Sequence, residues 1–135
     1  MTPVQQRLFA ALKDTLPKSY SPYSNFKVAA AILDDVGGLS CGTNIENAAY
    51  PQGWCAETCA ISHMIMSGGK KIIDIGVMGL GTEVCTPCGG CRQKIREFAT
   101  DQTRIHVFDE ASLRAEFTLE QLLPMSFGPD NLSKK

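Results

Sequence analysis

The stretch Ile72-Ile73-Asp74-Ile75-Gly76-Val77-Met78-Gly79-Leu80 carries no charge after Asp74. It is half the length of a membrane span and reads as a strand covered on both faces. Such a strand needs a layer above it and a layer below it. The chain is therefore expected to fold as α/β, a three-layer α/β/α sandwich in which a mixed sheet of about five strands lies between helices.

The remaining segments supply those layers. Residues 3 to 16 place Val4, Leu8, Ala11 and Leu12 on one face of a helix, with Thr2 as N-cap, Pro3 at the first helical position and Pro17 as the stop. Phe26 to Leu33 reads as a strand with Phe26 at its mouth, reversed by Asp34-Asp35-Val36-Gly37-Gly38 into a second strand, Leu39 to Thr43. Residues 55 to 67 fit a helix with a buried stripe of Ala56, Cys59, Ala60, His63 and Met64, ended by Gly68-Gly69. A third helix runs from Thr86-Pro87-Cys88 to Phe98, followed by a strand at Arg104 to Phe108. A short strand at Ala115 to Phe117 and a helix at Leu119 to Leu123, capped by Thr118, complete the order. With no repeat or linker, residues 1–135 read as one domain, and 135 residues suffice for a core without a metal or disulfide staple.

Charge and compartment narrow the function. Thirteen Lys+Arg against fourteen Asp+Glu give a formal net charge of −1, which lacks the broad basic footprint of a nucleic-acid-binding protein. The segment Met1-Thr2-Pro3-Val4-Gln5-Gln6-Arg7 does not read as a signal peptide, and no apolar run reaches membrane-spanning length. A cytoplasmic location without membrane contact is expected. There the six cysteines, at 41, 55, 59, 85, 88 and 91, should be reduced, so their spacing is read for metal ligation before disulfides.

Cys88-Gly89-Gly90-Cys91 is a C-x-x-C pair at a helix start, and Cys55-Ala56-Glu57 opens the preceding helix one strand earlier. Helices on consecutive strands bring their N-termini toward one sheet edge, where the helix dipole favours thiolate over thiol. Three thiolates on Zn²⁺ leave a fourth tetrahedral position for water, whose pKa the metal can lower to about 7. Glu57, beside the metal but not on it, is placed to take that water's proton and return it to a substrate nitrogen. Cys59 lies one turn beyond Cys55, so a closed four-cysteine site on Cys55, Cys59, Cys88 and Cys91 is also conceivable. It would leave Glu57 and the 44 to 50 loop without a role.

These residues resemble the cytidine deaminases, in particular the short-chain type with three cysteine zinc ligands. The likeness extends through Ser21-Pro22-Tyr23-Ser24-Asn25-Phe26-Lys27-Val28, Gly42-Thr43-Asn44-Ile45-Glu46-Asn47-Ala48-Ala49-Tyr50-Pro51, Pro87-Cys88-Gly89-Gly90-Cys91-Arg92-Gln93 and Leu122-Leu123-Pro124-Met125-Ser126-Phe127-Gly128-Pro129, in family order. The resemblance implies one zinc per chain, held by Cys55, Cys88 and Cys91, with Glu57 as the catalytic proton shuttle. It implies that Asn44 and Glu46 bind ribose hydroxyls and Phe26 packs on the pyrimidine. The Ala56 carbonyl and the Glu57 side chain would hold the exocyclic amine. Tyr50 and Phe127 would approach a site from a neighbouring subunit of a homotetramer. The implied reaction is hydrolysis of cytidine and deoxycytidine to uridine and deoxyuridine plus ammonia, a step of pyrimidine salvage.

One position departs from the pattern. Many members carry Arg immediately after Cys-Ala-Glu, where this chain has Thr58. Zinc with three thiolates sums to −1, and threonine supplies no charge, so the site is expected to lean on helix dipoles and backbone N–H groups.

Overall fold

The computed structural model describes residues 1–132. Helix α1 spans Pro3–Thr15. A reciprocal capping box closes its first turn: the Gln5 backbone N–H donates to Thr2 Oγ1 at 3.1 Å, and Gln5 Oε1 accepts from the Thr2 N–H at 2.9 Å. Pro17 falls inside a short 3-10 turn, Leu16–Lys18, that follows the helix.

Strand β1 (Val28–Asp34) starts two residues later than the sequence pattern predicts and pairs antiparallel with β2 (Leu39–Thr43), Ala31 facing Cys41. Asp34 shapes the reversal. Its Oδ1 accepts the N–H groups of Val36 and Gly38 at 2.9 and 2.8 Å, and Gly37 takes the left-handed φ of +81° that a side chain would resist.

Helix α2 covers Ala56–Met66, strand β3 Ile72–Gly79 and helix α3 Gly89–Glu97. Two expectations need correction here. The buried stripe of α2 is Ala56, Glu57, Ala60, Ile61 and Met64; Cys59 is half-buried and His63 is exposed, its Nδ1 meeting the Cys41 N–H at 3.1 Å. The apolar pattern alone gives no reason to turn Glu57 inward. Helix α3 starts at Gly89 with Cys88 as its N-cap, so Thr86 and Pro87 belong to the approach. Strands β4 (Arg104–Phe108) and β5 (Leu113–Thr118) lead to α4 (Leu119–Leu122), where Thr118 forms a second capping box with Gln121. A four-residue helix, α5 (Pro129–Leu132), was not legible in the sequence.

The sheet order is β2-β1-β3-β4-β5. Strand β3 is antiparallel to β1 and parallel to β4, and α3 lies in the β3–β4 crossover, so the sheet is mixed. Alternate residues serve alternate layers. Ala29, Ala31, Met78 and Phe108 pack under Leu8 and Leu12 of α1, while Ala30, Ile32, Val77 and Ile105 meet Ala60, Met64 and Ile95 of α2 and α3. Strand β3 is accordingly buried along its length except at Ile73. On the α1 face, Asp74 Oδ1 accepts from buried His106 Nε2 at 2.8 Å and from Arg104 Nε at 3.2 Å. His106 is thus a satisfied structural residue.

Candidate active site

Cys55 and Cys88 are the N-caps of α2 and α3, and neither side chain accepts a capping hydrogen bond. The positive ends of both helix dipoles are therefore left facing their surroundings. Because α2 and α3 pack side by side, the Sγ atoms of Cys55 and Cys91 and a carboxylate oxygen of Glu57 lie within 4.8 Å of one another. Tetrahedral zinc with bonds of about 2.3 Å sets its sulfurs about 3.8 Å apart, so these donors fit the metal in chemistry and in spacing. The thiol of Cys88 lies outside that 4.8 Å group and is exposed. It stands three residues before Cys91 and near enough to raise the Cys91 pKa.

The two sulfurs are unequal. A hydrogen bond from the Cys91 thiol, helped by the hydroxyl and N–H of Thr58, holds Cys55 down to about 5. The Thr58 Oγ1 is 2.9 Å from the Cys55 sulfur. Cys91, as donor in that bond and buried, is pushed up. The pair therefore gives up its first proton easily and holds its second. Glu57 is 4% exposed; burial pushes its carboxyl up to about 7, and the neighbouring Cys55 adds to the effect. That value suits a group that must accept and donate a proton near neutrality. Cys59 and Cys85 are pushed up by burial, and with Cys41 they lie outside the donor group.

From Cys55 an open cleft of about 500 Å³ runs past Trp54 and Tyr50 to Asn44 and Glu46. Glu46 is fixed at its far end. Its Oε1 accepts the N–H groups of Tyr23 and Ser24 at 2.8 and 3.1 Å, and its Oε2 accepts the Ser24 hydroxyl. These bonds, the hydroxyl's foremost, hold its pKa below the usual carboxylate range. Asn44 Oδ1 accepts the Val28 N–H at 3.0 Å, and its Nδ2 donates to the Phe26 carbonyl at 2.9 Å, so one side chain ties the cleft to the mouth of β1. Phe26 is 42% exposed, its ring lying close to Gly79 and Gly81.

Two carried-over residues, Ala56 and Tyr50, sit differently from the expectation. The Ala56 carbonyl lies in the first turn of α2, aimed along the helix, with Gly42 packed so closely that a Cβ there would fall 2.7 Å from it. What Ala56 leaves unpaired in the helix ladder is its N–H. Phe127 lies outside the cleft of its own chain, 57% exposed, with its carbonyl accepting from Gln93 Nε2 at 2.8 Å. Tyr50 lines its own chain's cleft, edge-on to Tyr23 at 6.1 Å.

Three contributors were not anticipated from the sequence. Ser24 clamps Glu46. Arg92 donates to the Pro87 carbonyl at 2.7 Å, Thr86 Oγ1 at 3.0 Å and the Leu122 carbonyl at 2.8 Å, which pins the approach to Cys88. Lys94 donates to Thr58 Oγ1 at 3.2 Å and lies 5.5 Å over the Trp54 ring. Its spacing of three from Cys91 was the available signal, since it puts both residues on one side of α3.

An α/β/α sandwich that sets cysteines at the starts of two adjacent helices, with a buried glutamate between them, defines a zinc-dependent deaminase. The comparisons specify which. The family described as "Cytidine and deoxycytidylate deaminase zinc-binding region" matches residues 3–107, and the chain belongs to that family. It is 39% identical over 118 residues to the cytidine deaminase of Mycoplasma pneumoniae, covering 86% of this chain and 88% of that one. To the cytidine deaminase of Sporosarcina psychrophila it is 34% identical over 128 residues, 95% and 94% of the two chains. The crystal structure of cytidine deaminase from Burkholderia pseudomallei superposes with a TM-score of 0.84 at 33% identity, covering 94% of this chain and all of that one.

Proposed function

We propose that this chain hydrolyses cytidine and deoxycytidine to uridine and deoxyuridine with release of ammonia, acting as one domain over residues 1–135. The observation that carries the reading is the buried Glu57 carboxyl, poised near 7 within 4.8 Å of the sulfurs of Cys55 and Cys91. Cys55, Cys88 and Cys91 would hold the zinc. Bound there, zinc supplies a Lewis acid that makes water nucleophilic at neutral pH.

The chain's own groups do the rest. Glu57 takes one proton of the attacking water and places it on N3 as the oxygen adds to C4 of the ring. The same carboxylate then moves the remaining hydroxyl proton to the exocyclic nitrogen, the C4–N4 bond breaks and ammonia leaves. Water contributes both protons and the oxygen, so the atoms balance. Phe26 packs on the pyrimidine, and the N–H of Ala56, rather than its carbonyl, is the group free to meet the ring. Asn44 and Glu46, already held by Val28, Tyr23 and Ser24, receive the ribose hydroxyls without having to be ordered first.

The active form is read as a homotetramer in the cytoplasm, with sites shared between subunits. In support, Phe127, Met125 and Tyr50 are all exposed on the single chain, and all six cysteines stand as free thiols. No described helix is long and apolar enough to cross a membrane. The test uses purified protein with one zinc per chain: cytidine absorbance should fall and ammonia appear, and Glu57→Ala should keep its zinc but lose turnover. Failure of the parent to release ammonia, or full activity in Glu57→Ala, overturns the reading.

A further inference from the structure

We propose that Lys94 is the counter-charge of the metal centre, acting on Cys55 through the hydroxyl of Thr58. The inference rests on the zinc site described above and concerns what balances it. Three thiolates on Zn²⁺ leave a net charge of −1, and Thr58, the residue that touches the Cys55 sulfur, is neutral.

The geometry supplies what the sequence of α2 lacks. Thr58 Oγ1 lies 2.9 Å from Cys55 Sγ, and Lys94 Nζ lies 3.2 Å from the same oxygen. A hydroxyl has one proton and two lone pairs. With the ammonium donating to one lone pair, the hydroxyl proton is free to point at the sulfur. The relay thus has one direction: ammonium to hydroxyl, hydroxyl to thiolate. Bonds of this kind polarise one another.

The relay is also held in place. Trp54, the residue before Cys55, sets its ring 5.5 Å beneath the ammonium, a cation–π distance. Residues 54, 55 and 58 come from the start of α2, and Lys94 comes from α3 one turn beyond Cys91. The same packing of α2 on α3 that brings the two cysteines together therefore brings the cation to the outer side of Cys55. Lys94 is itself exposed, so its removal disturbs no core.

The two links end to end put the ammonium at most about 6 Å from the sulfur. Across an effective dielectric between about 20 and 80, one unit charge at that range changes binding by roughly threefold to a hundredfold. Lys94 is exposed, and exposed pairs fall toward the weak end, so about tenfold in zinc affinity is expected.

The experiment measures zinc dissociation by chelator competition for the parent, Lys94→Met, Lys94→Arg, Thr58→Val and Thr58→Val/Lys94→Met, at low and high salt. Lys94→Met should weaken zinc about tenfold, less at high salt because screening already removes part of the effect. Lys94→Arg should restore most of the loss. The double variant should lose much less than the two single losses combined, because either change breaks the same relay. Parental zinc affinity in Lys94→Met, or additive losses in the double variant, overturns the proposal. A parent that binds zinc at one per chain but turns over no cytidine would instead overturn the functional reading and leave the relay measurable.

Discussion

Strand β2 and helix α2 approach each other closely at Gly42. A Cβ built there would lie 2.5 Å from the Ala60 nitrogen, 2.7 Å from the Ala56 carbonyl oxygen and 2.7 Å from the Cys59 Cβ. Ordinary contact begins at 3.4 Å, and the obstructing atoms are mostly helix backbone, which cannot swing aside. Gly42→Ala therefore has to push the first turn of α2 outward by nearly 1 Å. That turn carries Cys55 and Glu57, while Cys91 stays on α3. A misplacement of about 1 Å at reacting groups costs on the order of 100-fold in rate, and overpacking of this kind costs about 1–3 kcal/mol of stability. Steady-state kinetics on cytidine should show kcat/KM down about 100-fold, and urea denaturation should show the matching loss. Gly90→Ala is the control on the other helix of the site. A Cβ there meets nothing within 4 Å, and replacing a helical glycine should raise stability by about 0.5–1 kcal/mol with activity kept. Gly42→Ala with parental kinetics and stability would refute the claim that β2 sets the position of the catalytic turn.

Other consequences can be checked separately. The Glu57 carboxyl titrates at about 7 against 4.5 for an ordinary one, so in zinc-stripped protein its protonated form favours the fold. That contribution, about 3 kcal/mol, is fully present below pH 4.5 and is lost as pH rises through 7; urea denaturation across this range should show the decline, and Glu57→Gln should flatten it. Ser24→Ala removes a hydroxyl donor from Glu46 and should raise KM for cytidine about tenfold with kcat kept; an equal loss in kcat would show that Glu46 acts beyond binding. Asp74→Ala leaves buried His106 without its 2.8 Å partner and should cost about 3 kcal/mol in denaturation while kcat stays parental, because the pair lies on the opposite face of the sheet from Glu57.

What the sequence determined by itself was whatever near neighbours encode. The run Ile72–Leu80, without a charge after Asp74, required two covered faces, and β3 has them. The strand bounds at Leu39–Thr43 and Arg104–Phe108 follow from local patterning, and both helix caps on threonine follow from the residue three positions on. The Cys88 and Cys91 motif was legible as a spacing of three at a helix start, but that spacing did not fix the distance between the sulfurs. Cys88 is the extended N-cap, and its thiol lies outside the group that Cys91 forms with Cys55 and Glu57.

The tertiary structure decided whatever depends on which helix lies against which. It turned Glu57 inward and His63 outward, covered the Ala56 carbonyl with Gly42 and moved the available hydrogen-bonding group to the N–H. It also placed Lys94 against Thr58, 36 positions away along the chain. On the sequence alone, Thr58 read as a missing charge. The physical reason is that a side chain's electrostatic partner is set by the packing of α2 on α3 over a shared core, and no periodicity within either segment records that contact.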